Sequence, residues 1–507
     1  MFRFLAVLFL GTFLAGSAFG ENCTHSVDFS DADFQKSVQG CPYARIEGET
    51  LIFEIPKEKG SVTAMIQVPM TQKMAQFAGY SVIGEADLCF LEVPQPDQTY
   101  FGVKFQFHLP GAKGNPWPSF LHLPQGKAWG TQDWCHSKGG VSWSDEVTAA
   151  SLELGIQGAN GRFAIRNIRF TRGRKCPAST LKLAKIPQTE YSEACLKLPR
   201  MRGVMSPGTR PSQDPKEEDF AAIEKWGANL IRWQMGLDGS KDLEGIRQSL
   251  EGRFSQLEKV LEMAQRHHLY VVIDVHTMKS SRPIILGTPE GRDLLVDFWV
   301  RIAKRFGKHP NVFGFNLMNE PVSADIEEDG PTLNEQYFRL IQAIREVEPE
   351  TPIILDCDGA GVAEMLEFMQ VFPFKNIIYS PHYYKPFELT HQLNLNQESY
   401  RPYPNPERGW DREFLRKEMA TIREFQQKTG ARIYVGEFSC IRWAPGADRF
   451  IADCIDLFEE SGWDWSYHAF REWQGWNVEC DGTPNHPEWK ETERKKVLLK
   501  GFEKNRQ

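Results

Sequence analysis

Two glutamates stand where short apolar runs end. Phe315-Asn316-Leu317-Met318-Asn319-Glu320-Pro321 reads as a buried strand that delivers a carboxylate to its end, where Pro321 cannot extend a hydrogen-bonded ladder. Ile433-Tyr434-Val435-Gly436-Glu437-Phe438 does the same later in the chain. A single glutamate is most often a solvated surface residue. Two that converge on one cleft from separate strands suit hydrolysis of a glycosidic bond. One carries a proton for the leaving oxygen; the other is ionised and attacks the anomeric carbon. A neighbouring arginine lowers the pKa of the attacker, and burial raises that of the acid. Other strand-like runs also end in polar groups: Arg232 ends the second, His276 follows the third, and His382 and Tyr384 follow the sixth. None of the ten cysteines is spaced as CxxC, and no His/Asp/Cys cluster has ligand spacing, so no metal or other cofactor is expected.

The elements that would position these residues are legible from about residue 196 onwards. Short β-rich runs (Met201–Met205, Leu230–Gln234, Tyr270–Val275, Val312–Leu317, Pro352–Leu355, Ile377–Ser380, Ile433–Gly436 and Trp463–Tyr467) alternate with amphipathic segments. Phe254, Leu257, Val260, Leu261 and Ala264 share one helical face, as do Leu294, Leu295, Phe298, Trp299 and Ile302. Such alternation fits a (β/α)8 TIM barrel over residues 196–507, with chemistry at the strand ends. An open doubly wound sheet is the alternative, weakened because no GxGxxG follows a strand.

Residues 21–178 read as an all-β sandwich. Strand-like stretches at Leu51–Ile55, Ser61–Val68, Tyr100–Leu109, Ala150–Ile156 and Arg162–Phe170 are separated by turn formers, and Ser151–Gly155 and Phe163–Phe170, joined by Gln157-Gly158-Ala159-Asn160-Gly161, read as a hairpin. Residues 179–195 form a short ordered linker. Residues 1–20 have a basic start, an apolar stretch and small residues, the pattern of a secretory signal peptide. A secreted protein, extracellular or periplasmic and free of the membrane after cleavage, is the expectation. The net charge of −8 disfavours a nucleic-acid partner, and the 14 Trp and 34 Phe supply flat apolar surface for cores or for sugar rings. Oligomeric state is not encoded in any feature of the chain.

The motifs Arg202-Gly203-Val204, Asn229-Leu230-Ile231-Arg232, Ile273-Asp274-Val275-His276, Asn319-Glu320-Pro321, Tyr379-Ser380-Pro381-His382-Tyr383-Tyr384 and Gly436-Glu437-Phe438 occur in order over nearly the whole second half. That half resembles glycoside hydrolase family 5, retaining (β/α)8 enzymes related to cellulases. The resemblance implies Glu320 as general acid/base and Glu437 as nucleophile. It places Asn319 on the sugar 2-hydroxyl, Arg232 and Tyr384 on the Glu437 carboxylate, and His276 and His382 along the non-reducing side. The alternative for the histidines is a satisfied buried pair. After the eighth strand the family usually offers a tryptophan beneath the sugar. Here Trp473 is taken as that platform, although His468 falls near the expected place. The implied substrate is a β-1,4-linked glucan polysaccharide or oligosaccharide. A β-mannanase, an exo-acting β-glucosidase and a non-catalytic carbohydrate-binding protein are the alternatives. Tyr383, Phe387, Tyr400, Tyr403, Trp410 and Trp443 are read equally as sugar subsites or as loop packing. The N-terminal half resembles a carbohydrate-binding module, with Trp117, Trp129, Trp134 and Trp143 as candidates for stacking or for core. Five cysteines precede the linker and five follow its start. A bridge between Cys176 and Cys195 would close the shortest loop across the halves, with one unpaired Cys in each half as the competing reading.

Overall fold

The computed structural model describes residues 24–59, 62–96, 102–110, 120, 133–141, 149–205, 215–237, 242–277, 280–326, 330–392 and 400–506. The signal peptide expected at 1–20, Cys23, and Trp117, Trp129 and Trp143 lie outside these residues. Eight parallel strands close into a barrel. They are Arg202–Met205, Leu230–Gly236, Tyr270–His276, Val312–Asn316, Ile353–Asp356, Ile377–Ser380 (resuming at His382–Tyr383), Arg432–Phe438 and Asp464–Tyr467. The eighth closes on the first through Trp465↔Arg202 and Tyr467↔Val204. The helices between them bury the expected stripes: Leu257, Val260, Leu261 and Ala264 in Leu243–Arg266, and Leu294, Leu295, Phe298, Trp299 and Ile302 in Pro289–Phe306.

The strand period of two builds the barrel interior in layers. Met201, Leu230, Val272, Phe313, Ile354, Ile378 and Tyr434 form one apolar cluster inside it. Two residues further along four of these strands stand Arg232, Asp274, Asp356 and Ser380, each 0% exposed. A polar layer therefore lies directly above an apolar one, at the strand ends where chemistry sits in this fold. The seventh strand departs from the alternation. Its register against the eighth shifts between Val435 and Phe438, so that Tyr434 and Glu437 both face inward although three residues apart.

The N-terminal unit is antiparallel throughout, and its organising element is Ser151–Lys175, a strand of 25 residues. Its first part lies between Val62–Pro69 and Gly102–His108; its second lies between Thr50–Ile55 and Tyr80–Pro96. Two layers thus share one strand and enclose a core in which Phe107 and Phe170 meet at 4.9 Å. The expected hairpin with its connection at residues 157–161 is not formed: the chain continues through it as one strand, paired on both sides. Trp134 is packed under the Arg166 guanidinium, 3.9 Å from the ring centre, beside the small cluster of Ile52, Cys89 and Ala164.

The connecting segment is fixed along the barrel. Thr180 Oγ1 donates to Met369 O (2.7 Å), Thr189 N to Thr429 O (2.8 Å) and Ser192 N to Asn376 Oδ1 (2.8 Å), while Tyr191 OH donates to Ile377 O (2.8 Å). Arg174 donates to the Gly330 carbonyl. Cys195 is a free, buried thiol, so the Cys176–Cys195 bridge is not formed. Hydrogen bonds instead tie this segment to the barrel, and Arg174 ties the last strand of the N-terminal unit to it.

Candidate active site

Arg232 organises the polar layer. Nη1 donates to Glu437 Oε1 (2.6 Å), Nε to Asn316 Oδ1 (2.9 Å) and Nη2 to Asn319 Oδ1 (2.9 Å), with Asp356 Oδ2 at 3.4 Å and Asp274 Oδ1 at 3.3 Å from Nη2. Burial alone would favour loss of its proton, but the carboxylates of Asp274, Asp356 and Glu437 outweigh that and keep it charged. Asn316 in turn donates to Asp356 Oδ1 (3.0 Å). A planar fork with several donors suits this convergence of acceptors, which a lysine could not match.

Glu437 is held from both sides. Besides Arg232 on Oε1, the Tyr384 hydroxyl donates to Oε2 at 2.8 Å, and only 4% of the side chain is exposed. Burial pushes its carboxyl up, yet the positive charges of His382, His468, Arg232 and His276 prevail and hold it well below the usual carboxylate range. Gly436 makes the approach possible. A Cβ there would stand 2.6 Å from Ser380 Oγ and 2.9 Å from His382 Nε2, too close for any other residue.

Glu320 sits differently. Its backbone is left-handed, φ 46°, in a residue that rarely adopts it. Three contacts fix the turn: Glu320 N donates to Asp356 Oδ2 (3.1 Å), Arg282 Nη1 donates to Glu320 O (2.9 Å), and Ala360 N donates to Pro321 O (3.0 Å). The side chain is 30% exposed rather than buried, and Oε1 lies 3.0 Å from His382 Nδ1. A carboxylate oxygen of Glu320, one of Glu437 and a ring nitrogen of His382 lie within 4.8 Å of one another.

Three donor atoms so close are also a candidate for cation binding, but His382 argues against it. Burial works against its proton, while Asp356, Glu437 and Glu320 favour it, pushing its pKa up to about 10. A doubly protonated imidazole has no lone pair for a metal. His276 is oriented by Asp274, whose Oδ2 lies 2.9 Å from Nδ1, and its Nε2 is 3.4 Å from Asn319 Nδ2. Burial lowers the pKa of His276, and Asp274 more than restores it.

Arg232, His276, Asn319, Glu320, His382, Tyr384 and Glu437 therefore meet in one cluster. Trp473 stands further out, edge-on to Trp443 (6.0 Å) and to Trp476 (5.5 Å). Trp476, which sequence reasoning did not single out, is the ring against Tyr384 (6.1 Å), His391 (5.2 Å) and His468 (5.8 Å). Tyr383, Tyr403 and Trp410 are buried and belong to the core. Asp274, Asn316 and Asp356 were also passed over as site residues. For Asp274 and Asp356 the available signal was their place two residues beyond Val272 and Ile354, apolar positions that face the interior.

A family model for cellulase (glycosyl hydrolase family 5) matches residues 192–472, more than half of the chain. The chain belongs to glycosyl hydrolase family 5. This family 5 chain is 25% identical over 289 residues to endoglucanase C of Acetivibrio thermocellus, a match spanning 50% of the chain and 83% of that protein. It is 24% identical to cellodextrinase A of Ruminococcus flavefaciens over 45% of the chain and 69% of the relative. Among solved structures, Thermotoga maritima Cel5A in complex with cellobiose is 24% identical and superposes with a TM-score of 0.49, over 60% of this chain and 97% of that one. As a member of family 5 the protein is a cellulase-like glycoside hydrolase with a (β/α)8 barrel.

Proposed function

We propose that the protein is a secreted retaining β-glycosidase that cleaves β-1,4-linked glucan through a covalent glycosyl-enzyme intermediate. The observation that carries the reading is the approach of the Glu320 and Glu437 carboxylates, one oxygen of each lying within 4.8 Å of the other. Inverting enzymes separate their carboxyl groups by about 6.5–9.5 Å to admit a water, whereas about 5–5.5 Å lets the second carboxylate reach the sugar itself. Glu437, ionised and clamped by Arg232 and Tyr384, attacks the anomeric carbon while Glu320 protonates the departing oxygen. The bond to the aglycone breaks and an ester to Glu437 forms. Glu320, now ionised, takes one proton from a water whose oxygen attacks the same carbon; the ester bond breaks, Glu437 leaves as carboxylate and Glu320 is again the acid. Asn319, held by Arg232 at Oδ1, keeps Nδ2 to donate to the sugar 2-hydroxyl.

Glucan is the substrate favoured by the endoglucanase and cellodextrinase relatives. Reducing-sugar release from carboxymethylcellulose, mannan, xylan and aryl β-glycosides tests it, with proton NMR of the first sugar released to read its anomeric form. Cleavage of cellulose derivatives with the β-anomer appearing first is the expected result. An α-anomer first would overturn retention, and preference for mannan would overturn the substrate. Export is expected from residues 1–20, and processing of the chain after Ala18 or Gly20 in a secreting host would establish it.

A further inference from the structure

Behind the Glu437–Tyr384 contact stands a second charged pair. Tyr384 OH is 2.8 Å from Glu437 Oε2 and 2.6 Å from His468 Nδ1. A phenol has one proton to donate and cannot serve both. His468 Nδ1 is itself 3.5 Å from Glu437 Oε2, and on its other edge Nε2 is 3.1 Å from Glu472 Oε2. Gln234 Nε2 donates to the same Glu472 oxygen at 3.4 Å.

We propose that His468 and Glu472 are a positioning pair that commits the Tyr384 proton to Glu437; the proposal rests on Glu437 being the nucleophile. With His468 cationic, Nε2–H donates to Glu472 and Nδ1–H donates to the Tyr384 oxygen. The phenolic proton then has one acceptor left, Glu437 Oε2. With His468 neutral, Glu472 retains the proton on Nε2 and Nδ1 is bare. It then competes with Glu437 for the Tyr384 proton, and the carboxylate loses one of its two clamps. The surroundings favour the cation: burial opposes it, but Glu437, Glu472 and Glu320 outweigh burial. His391, which also faces the pair, has its pKa lowered to about 4 by burial and by His468, and stays neutral. On the far side of Glu437, Arg232, His382 and His276 complete the charges that face it. The cation at His468 thus does two things at once. It adds positive charge beside the nucleophile, and it fixes the direction of the hydroxyl that holds it.

Two measurements test this. In protein labelled at histidine Cε1, the His468 signal, identified by its loss in His468→Gln, is expected to titrate above the ordinary value of about 6.5 and to fall by about one pH unit or more in Glu472→Gln. In kinetics, His468→Gln is expected to lower kcat about tenfold with KM within about twofold, and to move the acidic limb of kcat/KM upward. In a Tyr384→Phe background the same change should cost less than about twofold, because the route to Glu437 is gone. A His468 midpoint at or below the ordinary value, no response to Glu472→Gln, or fold-losses that multiply in the Tyr384→Phe background would overturn the pair. If His468→Gln does not fold, Glu472→Gln decides, since its side chain is 23% exposed and tolerates the change. If the wild-type protein turns over no glycoside, the functional reading falls and the titration arm alone still decides the pair.

Discussion

The mouths of the fourth and seventh strands carry the same residue type in opposite settings. Glu437 is 4% exposed at its side chain, bound by Arg232 and Tyr384, and ringed by positive charge. Glu320 is 30% exposed at its side chain, with His382 against its carboxylate and a strained backbone held by Asp356 and Arg282. One carboxylate is fixed and kept ionised. The other is partly open to solvent, as the acid/base role proposed for it requires. The contrast teaches that the environment assigns acid and nucleophile, not the residue type. It also separates what the two positions require of the backbone. The seventh strand needs a bulge and a glycine to turn a carboxylate inward, whereas the fourth needs a left-handed turn to present one at the rim.

The sharpest way to break the comparison is Glu437→Gln. With no ionised oxygen to form the ester, turnover should fall by about 10⁴-fold or more while the fold persists, since the amide keeps the shape. Circular dichroism and a reducing-sugar assay check both halves of the claim. In Glu437→Gly, azide should restore turnover of an activated aryl glycoside and give the glycosyl azide of inverted configuration; a retained product would remove the covalent route. Glu320→Gln should be milder and depend on the leaving group. Loss of general acid catalysis is worth about 10²–10⁴-fold where the leaving oxygen needs a proton. Aryl glycosides with acidic phenols should lose far less in their first step. Equal losses on both substrates would erase the distinction between the two mouths.

Arg232 tests the structural side of the same asymmetry. It faces Asp274, Asp356 and Glu437 at 0% exposure, so Arg232→Met leaves buried carboxylates without their counter-charge. Breaking a buried pair from one side costs about 3–5 kcal/mol. Urea unfolding should show a loss of that order, well beyond that of Glu320→Gln, whose side chain is partly solvated. A variant as stable as wild type would mean that the polar layer is not organised around Arg232.

The barrel was legible because its strands are short apolar runs between amphipathic helices, and burial on both faces leaves little freedom in reading them. Glu320 and Glu437 were legible as polar groups at the ends of such runs. Asp356 was not, because the apolar run ends at Leu355 and a lone acidic residue after it has the look of a loop, although the strand continues through it. Asp274 lies inside a strand, and only closure of the barrel turns it towards Arg232. Trp473 is taken as the platform from the family resemblance, and Trp476, three residues on, is the ring beside Tyr384 and His468; local pattern cannot rank two aromatics on one loop. The segment 157–161 misled for a related reason. Its Gly and Asn residues favour a connection locally, but partners on both sides of Ser151–Lys175 reward a strand that continues.

The smallest effect concerns pH, and the sign follows from the two groups. Glu437 is held below its ordinary range, so it contributes stability above the unfolded pKa of about 4.3 that is lost as acid protonates the native carboxylate. The acidic limb of kcat/KM should accordingly lie below the usual glutamate range. His382 works in the opposite direction. Its pKa, pushed up to about 10, means that its contribution is complete below the unfolded value of about 6.5 and disappears as pH rises through 10. Lysines and tyrosines also titrate there, so the informative quantity is a difference. The fall in Tm between pH 7 and pH 10.5 should be smaller in His382→Gln than in wild type, because the variant has no imidazolium to lose between Asp356 and Glu320. If the two proteins lose the same Tm over that window, His382 is not charged in the native state. The argument that its nitrogens are both occupied by protons then fails, and the Glu320–His382–Glu437 cluster becomes open to a cation. Activity that a chelator removes and an added divalent ion restores would mark that outcome.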